Sequence, residues 1–83
     1  MKVNELLNKI RKNQKNIKFS DLQKLLLSLD FQLKRISGSH HIYSHARIVV
    51  AVNIQPDGPN AKPYQVKQLL KIIEKYGLKR DDL

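Results

Sequence analysis

The chain has 83 residues, no cysteine and no tryptophan, and sixteen Lys plus Arg against seven Asp plus Glu, a formal net charge of +9. That length makes one domain, and the missing thiols exclude a disulfide framework, Cys-ligated zinc and iron–sulfur chemistry. The charge excess suits a polyanionic partner: nucleic acid, an acidic protein or an anionic membrane surface. No apolar run approaches the roughly 18–20 residues that span a bilayer. The opening MKVNELLNKIRKNQK has no uninterrupted apolar stretch of the secretory kind, so the expected compartment is the cytoplasm.

Val3, Leu6, Leu7 and Ile10 fall at i, i+3, i+4 and i+7, which predicts an amphipathic first helix. Asn4 and Asn13 are candidates to cap its two ends. Asn13 to Lys18 is polar and basic and reads as a linker. A second helix follows, with Leu22, Leu25, Leu26 and Leu29 as its stripe. Ser20 and Gln23 stand three apart, the spacing of a capping box, and Asp21 suits the positive helix terminus.

After Asp30 the period changes to two. Phe31-Gln32-Leu33-Lys34 alternates like a half-buried strand, Ser37-Gly38-Ser39 is a turn, and His40 to His45 is a second strand. Residues 47–54 form the strongest strand, with Ile48, Val50, Val52 and Ile54 expected on one face. Gln55 to Asn60 is dense in turn residues. Pro63 suits the first position of a last helix, whose stripe is Val66, Leu69, Leu70 and Ile73. Gly77 is its natural stop, with Leu78 closing a Schellman contact. The order α-α-β-β-β-α describes an α+β fold: a three-stranded antiparallel meander with helices on one face.

Three histidines, His40, His41 and His45, crowd one segment. On a strand His40 and His41 point to opposite faces. His41 and His45 share a face but stand about 13 Å apart at ~3.3 Å per residue, too far for one zinc. No metal site is therefore expected. A general base fits better: a histidine titrates near neutrality and accepts a proton from a ribose 2′-hydroxyl without a metal. His40 follows the Gly38-Ser39 turn, where the backbone approaches a phosphate closely. Lys34 and Arg35 lead into that turn and are placed to hold the phosphate. Lys62 and Lys67, at the start of the last helix, are further phosphate candidates. Tyr43 and Tyr64 are candidates for base stacking as much as for packing. The loop Gln55 to Asn60 has one glycine and no P-loop spacing.

The run Leu33-Lys34-Arg35-Ile36-Ser37-Gly38-Ser39-His40-His41-Ile42-Tyr43-Ser44-His45 resembles the hallmark of HicA-type toxins: a basic strand, then G-S-H-H, an aromatic two places on, and a further histidine. The ending Lys62-Pro63-Tyr64-Gln65-Val66-Lys67-Gln68 and Tyr76-Gly77-Leu78 also looks like one branch of that family. Ala46 stands where the family usually has proline, and Asn60-Ala61-Lys62-Pro63-Tyr64 replaces its common ending. The likeness runs over about residues 19 to 78. It sets residues 1–18, a helix and basic linker, apart from a HicA-like domain over 19–83.

The resemblance implies a fold like a double-stranded RNA-binding domain and a messenger-RNA interferase that works without metal through one histidine. It also implies a HicB-type antitoxin as partner. Carried over by position, His40 matches the catalytic histidine best and His41 is the alternative. Gly38 and Ser39 shape the turn, and Lys34 or Arg35 binds phosphate. Two function classes stand: an endoribonuclease cutting RNA to a 2′,3′-cyclic phosphate, or a non-catalytic RNA-binding module of the same fold.

Overall fold

The computed structural model describes residues 2–78. Three helices, α1 (Val3–Lys12), α2 (Phe19–Ser28) and α3 (Pro63–Tyr76), accompany the strands β1 (Phe31–Ser37), β2 (His40–His45) and β3 (Ile48–Ile54). A short hairpin, β4 (Pro56–Asp57) and β5 (Asn60–Ala61), lies between β3 and α3. The main sheet is an antiparallel meander in the order β1-β2-β3. The expected α-α-β-β-β-α order and α+β class hold, with the small hairpin added.

The helices cover one sheet face because their apolar stripes and the inward strand positions complete one another. Leu22, Leu25 and Leu26 of α2 and Val66, Leu69 and Ile73 of α3 are buried with Phe31, Tyr43, Val52 and Ile54 in one continuous core. Val3, Leu6, Leu7 and Ile10 of α1 belong to that same core. The principal neighbours of α1 are α2 and α3. Helix α3 ends as its residues require. Gly77 adopts φ 59°, and the Leu78 N–H donates to Ile73 O at 3.0 Å, the Schellman arrangement with Leu78 buried beside it.

Four local expectations are corrected. The segment Asn13 to Lys18 is no loose linker. Ile17 is buried, its carbonyl accepts from the Ala61 N–H at 2.7 Å, and Lys18 bridges to Asn60 in antiparallel fashion. Ser20 does not cap α2. The helix starts at Phe19 with Lys18 at the cap position and no side-chain cap bond. The Phe19 N–H donates instead to Pro59 O at 3.0 Å, so backbone from the 56–61 hairpin replaces the side-chain cap. Gln23, freed from a capping box, donates to the Tyr43 hydroxyl at 3.3 Å. In α1, Asn13 does stand at the C-terminal cap, but Asn4 lies inside the helix and Lys2 precedes it.

The fourth correction concerns Val50. The stretch Ile48 to Val52 lies opposite the shorter stretch His45 to Tyr43, and the register shifts there. The surplus residues break the two-residue alternation. Val52 and Ile54 stay inside, whereas Val50 is 38 % exposed and Val49 99 % exposed.

A second register shift, between Leu33 and Arg35, decides where charge sits. Leu33 pairs with the inward Tyr43, and Arg35 pairs with Ile42, whose neighbours Tyr43 and His41 point inward. Lys34 is the extra residue, and its Nζ reaches Gln32 Oε1 at 3.4 Å on the outer face. A regular strand would send Lys34 and Arg35 to opposite sides. The bulge puts both on the face away from the helices.

Candidate active site

The β1–β2 turn consists of Gly38 and Ser39, with Ser37 paired to His40. Gly38 has φ 58°, and Ser39 is not among the residues with positive φ. Glycine first in a two-residue loop is the type II′ pattern, whose twist suits a tight hairpin. An alanine at Gly38 would meet no atom within 4 Å, so the requirement for glycine is one of backbone conformation alone.

Strand alternation then parts the adjacent histidines, as the sequence leads one to expect. His41 turns inward. Its ring meets Phe19 edge-on with centroids 4.9 Å apart, and its Nδ1 lies 3.0 Å from Ser39 O. A carbonyl only accepts, so His41 Nδ1 carries the proton. His45 also turns inward and is buried against Phe31 at 5.0 Å. Its Nδ1 accepts from the Arg47 N–H at 3.1 Å, and its Nε2 finds no hydrogen-bond partner.

His40 faces outward and is exposed. Its ring nitrogens are both engaged by neutral amides. Nδ1 meets the Asn53 side chain, with Oδ1 at 3.2 Å and Nδ2 at 2.9 Å. Nε2 lies 3.3 Å from Gln55 Nε2, and that amide also donates to Ser39 Oγ at 3.1 Å. Gln55 is in turn held by Gln65 from the first turn of α3. The Gln55 N–H donates to Gln65 Oε1 at 2.7 Å, and Gln65 Nε2 donates to Gln55 Oε1 at 3.0 Å. Both glutamines are buried, at 8 % and 3 % exposure.

The structure thus brings together His40, Ser39 and the Gly38 turn, with Lys34 and Arg35 on the same outer sheet face. Lys62 joins through its backbone, its N–H donating to Gln55 O at 3.4 Å. Lys67 is exposed on α3. It stands two residues past Gln65, about 200° around the helix at 100° per residue, so it points away from the cluster. Tyr43 is a core residue, 2 % exposed, and is unavailable for stacking on a base, whereas Tyr64 is exposed beside Gln65. Among the described residues the one ion pair is Arg11 Nε to Glu74 Oε1 at 3.8 Å, and Lys34, Arg35, Lys62 and Lys67 have no acidic partner. Among the same residues no three His, Cys, Asp or Glu side chains gather as a metal site.

Asn53, Gln55 and Gln65 were not singled out from the sequence. Gln65 did leave a trace. It stands four residues before Leu69 and eight before Ile73, on the apolar stripe of α3, where a polar side chain needs a partner.

The family model described as HicA toxin of bacterial toxin-antitoxin matches residues 19–75. The chain belongs to the HicA toxin family. No curated protein and no solved structure gives a match. The matched span opens with α2 and closes in the last turn of α3, so it includes the histidine turn and both glutamines and leaves out α1. Membership makes this chain a toxin of a toxin–antitoxin pair, with an antitoxin as its partner. No helix among the described residues is long and apolar enough to cross a membrane.

Proposed function

We propose that this HicA-family chain is a metal-independent endoribonuclease that cuts messenger RNA with His40 as general base, acts in the cytoplasm and is held in check by a HicB-type antitoxin. The observation that carries the reading is an exposed histidine whose ring is held by neutral amides, on a sheet face that bears Lys34 and Arg35 with no acidic partner for them among the described residues. His41, the alternative, is packed against Phe19 on the helix side of the sheet.

The chemistry follows from that placement. The bulged Lys34 and Arg35 attract the phosphodiester, and Ser39 and the Gly38 turn let backbone come close to it. His40 takes the proton of the ribose 2′-hydroxyl. The 2′-oxygen forms a bond to phosphorus while the bond to the 5′-oxygen breaks. The products are a 2′,3′-cyclic phosphate and a 5′-hydroxyl, the latter gaining a proton as it leaves.

An RNA carrying a single 2′-deoxy sugar at a mapped cleavage position tests this directly. The chain should cut the all-ribose strand to cyclic-phosphate ends, leave the substituted position whole, and do so with EDTA present. Cutting at the deoxy position, or activity that EDTA removes and a divalent ion restores, would overturn the mechanism. If RNA binds but is never cut, the chain is the non-catalytic module.

Arg35→Ala provides a second check. Losing one phosphate contact should weaken binding to every RNA sequence alike and reduce the slope of log K against log salt by ~0.7 for a single strand. An unchanged slope in a titration over salt would remove Arg35 from the interface.

A further inference from the structure

Gln65 is a nearly fully buried amide on an α3 stripe otherwise made of Val66, Leu69 and Ile73. A methionine or leucine would fill that place more cheaply, since a buried amide has to recover its lost hydration in hydrogen bonds. Its partners do not close on themselves. They run outward through Gln55 to the exposed ring of His40.

We infer that Gln65 and Gln55 form a hydrogen-bond relay that dictates which imidazole nitrogen of His40 carries the proton, so that Nε2 is the nitrogen left unprotonated and able to accept one; this deepens, and rests on, the reading of His40 as the base.

The direction of every link follows from one backbone group. An N–H can only donate, so the Gln55 N–H at 2.7 Å fixes Gln65 with its oxygen toward β3. Gln65 must then present its NH2 to Gln55, where it donates to Oε1 at 3.0 Å. With its oxygen occupied, Gln55 has only N–H groups left to offer outward. One points to Ser39 Oγ at 3.1 Å and the other to His40 Nε2 at 3.3 Å. An N–H facing Nε2 requires a lone pair there, and the ring proton is therefore on Nδ1, where Asn53 Oδ1 at 3.2 Å accepts it.

Asn53 Nδ2 stands slightly nearer to Nδ1, at 2.9 Å, which would suit the opposite tautomer. The two indications differ in strength. The Asn53 amide has no backbone group in its hydrogen bonds to the ring and turns over freely, whereas the Gln55 amide is locked through Gln65 to the main chain. The locked side decides. The 3.3 Å contact at Nε2 is long, and a substrate hydroxyl replaces it without disturbing Gln55, which keeps Ser39 and Gln65. Gln65 touches no substrate in this scheme and is a positioning residue.

Gln65→Glu separates this role from simple packing, because it keeps the shape and reverses the relay. A carboxylate still accepts from the Gln55 N–H, yet has nothing to donate to Gln55 Oε1. The Gln55 amide turns over to donate to it and leaves its oxygen facing His40, which moves the ring proton to Nε2. Nitrogen-15 spectra of the His40 ring in the full chain report this. In the unaltered chain Nε2 should give the resonance of an unprotonated ring nitrogen and Nδ1 that of a protonated one, and in Gln65→Glu the two should exchange character. Cleavage of a single-stranded messenger transcript should fall about tenfold, the preference of one neutral hydrogen bond turned against the reactive form.

Gln65→Met, which removes both links at similar volume, should give averaged ring resonances and an intermediate loss; it carries the test if the buried carboxylate prevents folding. Ring spectra that are the same in all three proteins, or a reversed tautomer with unchanged cleavage, would overturn the relay. His40→Ala assayed alongside isolates the other failure: cleavage at the unaltered rate there would remove the base on which the relay depends, whatever the spectra show.

Discussion

Replacing His40 with alanine is expected to lower RNA cleavage by about 10²–10⁴-fold, the usual contribution of one general base, while the folded state is left nearly as stable as before. The second half of that expectation is what makes the first informative. His40 is exposed and its contacts are to side chains of Asn53 and Gln55, both of which gain access to water when the ring is gone. His41→Ala is the necessary companion. It removes a ring that packs on Phe19 and should cost stability without removing the chemistry. Growth arrest on expression, decay of a messenger transcript and thermal unfolding, measured on both variants, distinguish them. A toxic His40→Ala beside an inert, folded His41→Ala would move the base by one residue and to the other face of the sheet.

The largest effect on stability is expected at Tyr43. It sits on the central strand, 2 % exposed, paired with Leu33 on one side and the buried Val52 on the other, with its hydroxyl receiving the Gln23 amide at 3.3 Å. Truncating a buried aromatic to alanine costs about 3–5 kcal/mol through lost burial and the cavity left behind. Domains of this size have a total stability near the low end of 5–15 kcal/mol. Tyr43→Ala should therefore be largely unfolded at body temperature. Tyr43→Phe keeps the ring and loses one hydrogen bond, a cost of about 1 kcal/mol. Urea titrations followed by circular dichroism give both values. Equal destabilisation by the two would show that the hydroxyl, rather than the ring, holds the strand to α2.

The stripes that built the core were legible because they repeat. Leu22, Leu25, Leu26 and Leu29 declare a helix without reference to anything else, and Ser37-Gly38-Ser39 declares a turn. The opposite facing of His40 and His41 followed from strand geometry alone. What escaped reading depends on neighbours distant in the chain. Ser20 looked like a cap because cap chemistry is local, yet the Phe19 N–H was claimed by Pro59. Val50 looked inward because alternation assumes a regular partner, and the shifted register against β2 removed that regularity. Lys34 and Arg35 stand out in the sequence as phosphate candidates, but that they share a face depends on a bulge no local pattern announces. The glutamines were hidden for a similar reason: Gln55 has meaning only once α3 has folded back and set Gln65 against it.

The backbone pairing of Ile17 and Lys18 with Asn60 and Ala61 has a kinetic side. Closing so long a loop costs chain entropy before any contact repays it, and native pairs of high sequence separation tend to form late. The strand meander and α2 are local enough to begin folding while the chain is still being synthesised. Of the partners of His40, Asn53 belongs to that meander, whereas Gln55 is held by Gln65, which comes only with α3. A folding chain thus forms its histidine turn before α3 brings Gln65 against the Gln55 amide beside that turn, and the ring of His40 gains its last support from the last helix to pack.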